Sequence, residues 1–120
     1  MNINKTILIS GASRNPGNYL AKHHIKKKFN VISISRKSRL SSIQNFYLCD
    51  LSDINKTKNL FLKLKKKFKK IDLIISCAGA SKKKYKISEN INDWKFAFNN
   101  NFYCFTNLLE SYLNIYAKKN

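Results

Sequence analysis

Short apolar blocks alternate with amphipathic stretches along the chain. Residues 5–10, KTILIS, are β-branched and apolar and stop at Gly11, which reads as a strand running into a turn. Residues 16–28 read as a helix with Pro16 in its first turn, where a missing N–H is tolerated. NVISIS (30–35) and NFYLC (45–49) read as two further strands, the second short. In residues 53–68 the positions Ile54, Thr57, Phe61, Leu64 and Phe68 recur every three or four residues. That is one stripe of a helix, and Asp53 is placed to cap it. The lysines at 56, 58, 63, 65, 66 and 67 fall mostly off the stripe and read as a solvated face. IDLIISC (71–77) is nearly continuously apolar, as strands buried on both faces are. A loop follows, and then a long helix from about 92 to 117, with Trp94 as a packing residue at its start.

Strand, helix, strand, strand, helix, strand, helix is the order of a parallel sheet with crossover helices. Right-handed crossovers place those helices on both faces, so the expected class is α/β in three layers. In such sheets a ligand sits beyond the C-terminal ends of the strands, where the first strand turns into the first helix. The helix N-terminus there offers free N–H groups and a positive dipole end to a phosphate. The chain has three glycines, Gly11, Gly17 and Gly79, and all lie at the ends of the first and fourth strands. By contrast, lysine (Lys28, Lys69) stands where a helix commonly ends on glycine. Glycine is kept where a tight turn and a close ligand approach need it.

Composition narrows the reading. At 120 residues the chain is one domain at most. No apolar run approaches the ~18 residues of a membrane span. The run Thr6–Ser10 is also too short for a signal peptide, so the cytoplasm is the expected setting. Cys49, Cys77 and Cys104 match no zinc pattern and no disulfide framework, and read as reduced thiols. His23 and His24 are adjacent on one helix and cannot share a face as metal ligands, so no metal is expected.

The net charge of +18 points toward polyanions, but it comes from 21 lysines and only 3 arginines. Bidentate recognition of phosphates and bases favours arginine. Lysine, asparagine and isoleucine in excess are also what an AT-rich genome writes. Specific nucleic-acid binding is therefore the weakest of the readings. The run Lys82–Lys84 reads as a solvated loop.

Four segments, in order, resemble the short-chain dehydrogenase/reductase family. SGASRNPG (10–17) is similar to its T-G-A-S-R-G-I-G loop, and CDLSD (49–53) to its D-V-T-D segment. KKFKKIDLIISCAGA is similar to E-E-F-G-x-I-D-I-L-V-N-N-A-G, and WKFAFNNNFYCF to W-x-x-V-x-x-V-N-L-x-G-x-F. The resemblance implies a Rossmann-like three-layer parallel sheet of four strands in the order 3-2-1-4, incomplete relative to the family. It implies a single NAD(P)-binding domain over residues 1–120. Gly11, Ser13, Asn15, Pro16 and Gly17 would line the pyrophosphate and ribose. Asp50 and Leu51 would meet the adenine, and Ala78 and Gly79 the nicotinamide ribose. Asn101 would be the catalytic asparagine, which holds a water in the proton relay.

NAD binders carry an acidic residue about 20 positions past the glycines. This chain has none before Asp50. Ser35 ends the second strand and is followed by Arg36, and Arg14 sits in the glycine loop. In the family, basic residues at these places go with NADP, since arginine grips a 2′-phosphate bidentately. NADP is the expected cofactor, ahead of NAD. Asn15 replaces the middle glycine, and asparagine tolerates left-handed backbone. Pro16 removes a phosphate donor. Ser76 and Cys77 replace the two asparagines of N-N-A-G.

The family's reaction uses a tyrosine with a lysine four residues on, and an upstream serine. Here the residues four after the tyrosines are His23, Leu51, Glu89, Asn107, Tyr116 and Asn120, none a lysine. The first reading is the cofactor half of an NADP-dependent oxidoreductase acting on a small carbonyl or alcohol substrate, inactive alone. The second is a non-catalytic nucleotide-binding or assembly module pairing through its last helix as a homo-oligomer. The fourth strand is expected to form an apolar edge, and the isolated monomer to be marginally stable.

Overall fold

A computed structural model describes residues 5–37, 39–40, 42–79 and 90–117. The loop containing Lys82–Lys84 lies outside the described residues. Four strands form one parallel sheet: β1 (Thr6–Ser10), β2 (Asn30–Ser35), β3 (Phe46–Leu48) and β4 (Leu73–Ser76). Their order is β3-β2-β1-β4, as expected. Ile9 of β1 stands between Ser33 of β2 and Ile75 of β4, which fixes the register of the centre.

Side chains alternate across β1, and each face finds its own core. Leu8 joins Ile32, Ile34, Phe61, Leu64 and Leu108 on one face. Ile7 and Ile9 join Ala12, Ala21 and Val31 on the other. Helix α1 (Gly17–Lys26) covers the second face, and α2 (Ile54–Lys67) covers the first. This gives the three layers. Asp53 caps α2, accepting from the amides of Asn55 at 3.0 Å and Lys56 at 3.1 Å. Thr57, Phe61 and Leu64 are buried as their spacing requires. Lys28, just past α1, takes φ +68°, the left-handed backbone that glycine supplies more cheaply.

Two expectations need correction. β4 is not buried on both faces: Leu73 is 48% exposed. β1 is its only strand neighbour among the described residues, so β4 forms the expected edge, with Ile74 and Ile75 half-buried against the two cores. The long last helix is also not uniform. It runs as α3 (Ile91–Ala97), a π-helical turn (Phe98–Tyr103) and α4 (Cys104–Ile115). Asn90 and Asp93 close a capping box at its start. Trp94 does not pack inward but is 55% exposed. It belongs to an outward apolar stripe with Ile91, Phe98, Phe102, Phe105 and Leu109. Among the described residues, no helix is long and apolar enough to cross a membrane.

Candidate functional site

The C-terminal ends of the four strands open onto a cleft of 540 Å³. Its floor begins at Gly11, where β1 turns away at φ +72°. A Cβ there would stand 2.6 Å from the carbonyl of Cys77 and 2.7 Å from the nitrogen of Ala78. The β1 turn and the end of β4 therefore touch backbone to backbone, and only glycine fits. Gly17, buried below, would drive a Cβ into the Gly11 carbonyl. The two glycines serve two stacked contacts, the first joining β1 to the end of β4 and the second seating α1 under the loop.

The loop between them is held from within. The side chain of Asn15 accepts from the Tyr19 amide at 3.1 Å, and the Asn18 amide donates to the Arg14 carbonyl at 3.0 Å. The Leu20 amide donates to the Pro16 carbonyl at 3.1 Å. The expected free N–H groups at this helix start are thus largely committed to the protein. Asn15 acts as a side-chain acceptor and not as a left-handed residue. Ser13, Arg14 and Asn15 face the cleft. Pro16 and Gly17 do not line it and support it from behind.

Opposite the loop, Ser35 at the end of β2 and Arg36 and Lys37 just after it enter the cleft. Arg36 extends across it: its Nη1 donates to Asn100 Oδ1, 64 residues away, at 2.6 Å. Asp50 and Leu51 form the wall after β3. Asp50 is partly buried, which opposes ionisation. The hydroxyl of Ser52 (2.6 Å) and its amide (3.1 Å), with Arg36 and Lys56 nearby, still hold its carboxyl below the ordinary range. Ala78 and Gly79 complete the cleft after β4. Ser10 Oγ lies 3.4 Å from both Ser76 Oγ and the Ala78 amide, tying the two strand ends together.

Asn101 does not line the cleft. It stands beside Gly79, whose missing Cβ leaves room for its Oδ1 2.5 Å from that position. The amides of Asn100 and Asn101 donate to the carbonyls of Phe96 and Ala97, each at 2.8 Å. These bonds anchor both side chains in the π-helical turn, where the main-chain ladder widens.

Sequence reasoning missed part of the lining. All three cysteines reach the cleft, although their spacing signalled nothing. Burial pushes the Cys49 thiol up, and takes Cys104 up to about 11, so both are neutral floor atoms at physiological pH. Asn100 was also missed. Its only signal was its place next to Asn101, and its 8% exposure appears only in the fold.

A glycine-turned first strand, a helix seated behind it and a cleft across the ends of four parallel strands define a Rossmann-type nucleotide-binding unit. The sequence pattern described as short chain dehydrogenase matches residues 5–120, and the chain belongs to that family. An uncharacterized oxidoreductase of Schizosaccharomyces pombe is 29% identical over 106 residues, covering 78% of this chain and 36% of the relative. The ligand-free aldohexose dehydrogenase of Thermoplasma acidophilum superposes with a TM-score of 0.83 at 16% identity, over 96% of this chain and 45% of that one. A variant of ElxO with NADPH bound superposes at 0.80 with 24% identity, over 92% of this chain and 49% of that one. The chain thus spans about a third of that curated relative and about half of these solved structures.

Proposed function

We propose that residues 1–120 form one NADP(H)-binding domain of a short-chain oxidoreductase. The activity would be hydride transfer between the cofactor and a small carbonyl or alcohol substrate. The observation that carries the cofactor choice is the charge around the cleft. Arg14 and Arg36 both face it, and no acidic residue lies between Gly11 and Cys49. Asp50, the first carboxylate along the chain, is bonded to Ser52 and sits after β3, not β2. Arginine suits a 2′-phosphate, whereas a ribose 2′-hydroxyl calls for a carboxylate.

The cleft residues fit the cofactor. Gly11 lets backbone come close, Ser13 and Asn15 offer polar atoms to phosphate oxygens, and Leu51 and Ala78 offer apolar contact to the base and ribose. The bound nicotinamide supplies the hydride chemistry. Asn101, beside Gly79, would hold a water for proton delivery. The Tyr-x-x-x-Lys pair and serine that the family uses to move that proton have no counterpart among these 120 residues. These residues alone therefore bind cofactor and do not turn over substrate. The three described thiols are all unpaired, which accords with a cytoplasmic setting.

Titration with NADPH, read by its fluorescence, tests this reading. The expected result is saturable binding, tighter for NADPH than for NADH. No change at millimolar nucleotide overturns it. The exposed stripe around Trp94 favours a second reading, in which the chain pairs with a copy of itself through the last helix.

A further inference from the structure

The geometry points to Asn100 as a positioning residue that holds the Arg36 guanidinium in the cleft, ready for an anionic group on the nucleotide. The inference rests on the NADP(H) reading above. Asn100 lies on the π-helical turn, only 8% exposed, and lines the same cleft as Arg36. Its amide nitrogen donates to the Phe96 carbonyl at 2.8 Å, which sets the orientation of the whole amide group. The oxygen is therefore the atom aimed into the cleft, and it accepts from Arg36 Nη1 at 2.6 Å.

A neutral amide suits this task. A carboxylate at position 100 would neutralise Arg36 and repel a phosphate. An apolar side chain would leave a long, exposed arginine free to sample many rotamers, at an entropy cost on binding. The amide oxygen takes one guanidinium N–H of five and leaves the positive charge intact. The remaining fork can still meet a phosphate with two parallel bonds. Arg36 is itself exposed, so this bond is what draws it inward over the cleft and not out into solvent.

A purely structural role and a positioning role differ in one readout. Loss of packing weakens both nucleotides alike. Loss of positioning weakens only the one that carries the 2′-phosphate.

The test is fluorescence titration of the full chain with NADPH and NADH, on the unaltered protein and on Arg36→Met, Asn100→Leu and Asn100→Ser. The serine variant retains a hydroxyl that can bond back to the helix but is too short to reach Arg36. It decides the matter if the leucine variant does not fold. Expected is a loss of NADPH affinity of about tenfold in the Asn100 variants, with NADH unchanged within about twofold. Arg36→Met should remove the preference altogether. A preference that survives Asn100→Ser, or an equal loss for both nucleotides, overturns the positioning role alone. An unaltered chain that binds neither nucleotide overturns the NADP(H) reading, and the inference with it.

Discussion

The carbonyl of Gly11 occupies the space into which a Cβ on Gly17 would project. A Cβ on Gly11 would in turn stand 2.6–2.7 Å from the backbone of Cys77 and Ala78. The first strand's turn, the first helix and the end of the fourth strand are thus locked by two missing side chains. Gly11→Ala adds a methyl to a left-handed residue against rigid backbone and should cost about 3 kcal/mol. Among the described residues, a Cβ on Gly79 meets only the Asn101 side chain, and Gly79→Ala should cost under about 1 kcal/mol. Urea denaturation of the three proteins checks the order. Equal losses at both positions would contradict the backbone contact.

Lys28 is the converse case. It holds φ +68° at the end of α1, where glycine carries no Cβ penalty. Lys28→Gly is expected to stabilise the chain by about 1 kcal/mol, and Lys28→Ala to leave it little changed. Paired thermal melts decide.

Asp72 receives the Thr6 amide on Oδ2 at 2.8 Å and lies 3.6 Å from Lys70 Nζ. The Thr6 bond, with Lys70 and Lys5, holds its carboxyl below the ordinary value of 3.8 despite some desolvation. A lowered folded-state pKa gives stability that is full above the unfolded value and lost as pH falls through the folded one. The melting temperature of the unaltered chain should therefore drop below about pH 4. Asp72→Asn should melt lower at pH 7, and the gap should close in acid. A gap that persists at pH 2 would assign the effect elsewhere.

Cys77 is half-buried at the cleft, whereas Cys49 and Cys104 are buried with raised pKa values. Iodoacetamide at pH 8 should label Cys77 first, and NADPH should slow that labelling at least about threefold. Peptide mass mapping reads both. Preferential labelling of Cys104 would contradict the described burial.

The stripe of Ile91, Trp94, Phe98, Phe102, Phe105 and Leu109 is exposed on one side of the last helix. Sedimentation should show self-association that rises with protein concentration, and Trp94→Glu with Phe102→Glu should abolish it. A monomer at all concentrations in the unaltered chain would remove the pairing reading.

Much of the fold was legible because local pattern and global packing agree. Residues 53–68 bury the stripe that their spacing announced, and Asp53 caps them as its side chain dictates. Gly11 and Gly17 marked the turn at the cleft floor because backbone sterics leave few alternatives to glycine at such contacts. The apolar content of IDLIISC was legible too. Its degree of burial was not, because burial depends on what lies on either side of a strand. Trp94 failed for the same reason: a tryptophan at the helix start reads as a packing residue, but nothing local says on which side of the helix the core lies.

The sequence by itself determined the order of elements, the parallel sheet and the place of the glycine loop. These follow from side-chain period and from glycine's missing Cβ, both of which act over a few residues. Only the tertiary structure decided that Arg36 meets Asn100, that three thiols share one cleft and that Gly11 abuts the backbone of Cys77 and Ala78. Those contacts join residues brought together by the crossovers, and their spacing along the chain carries no trace of them.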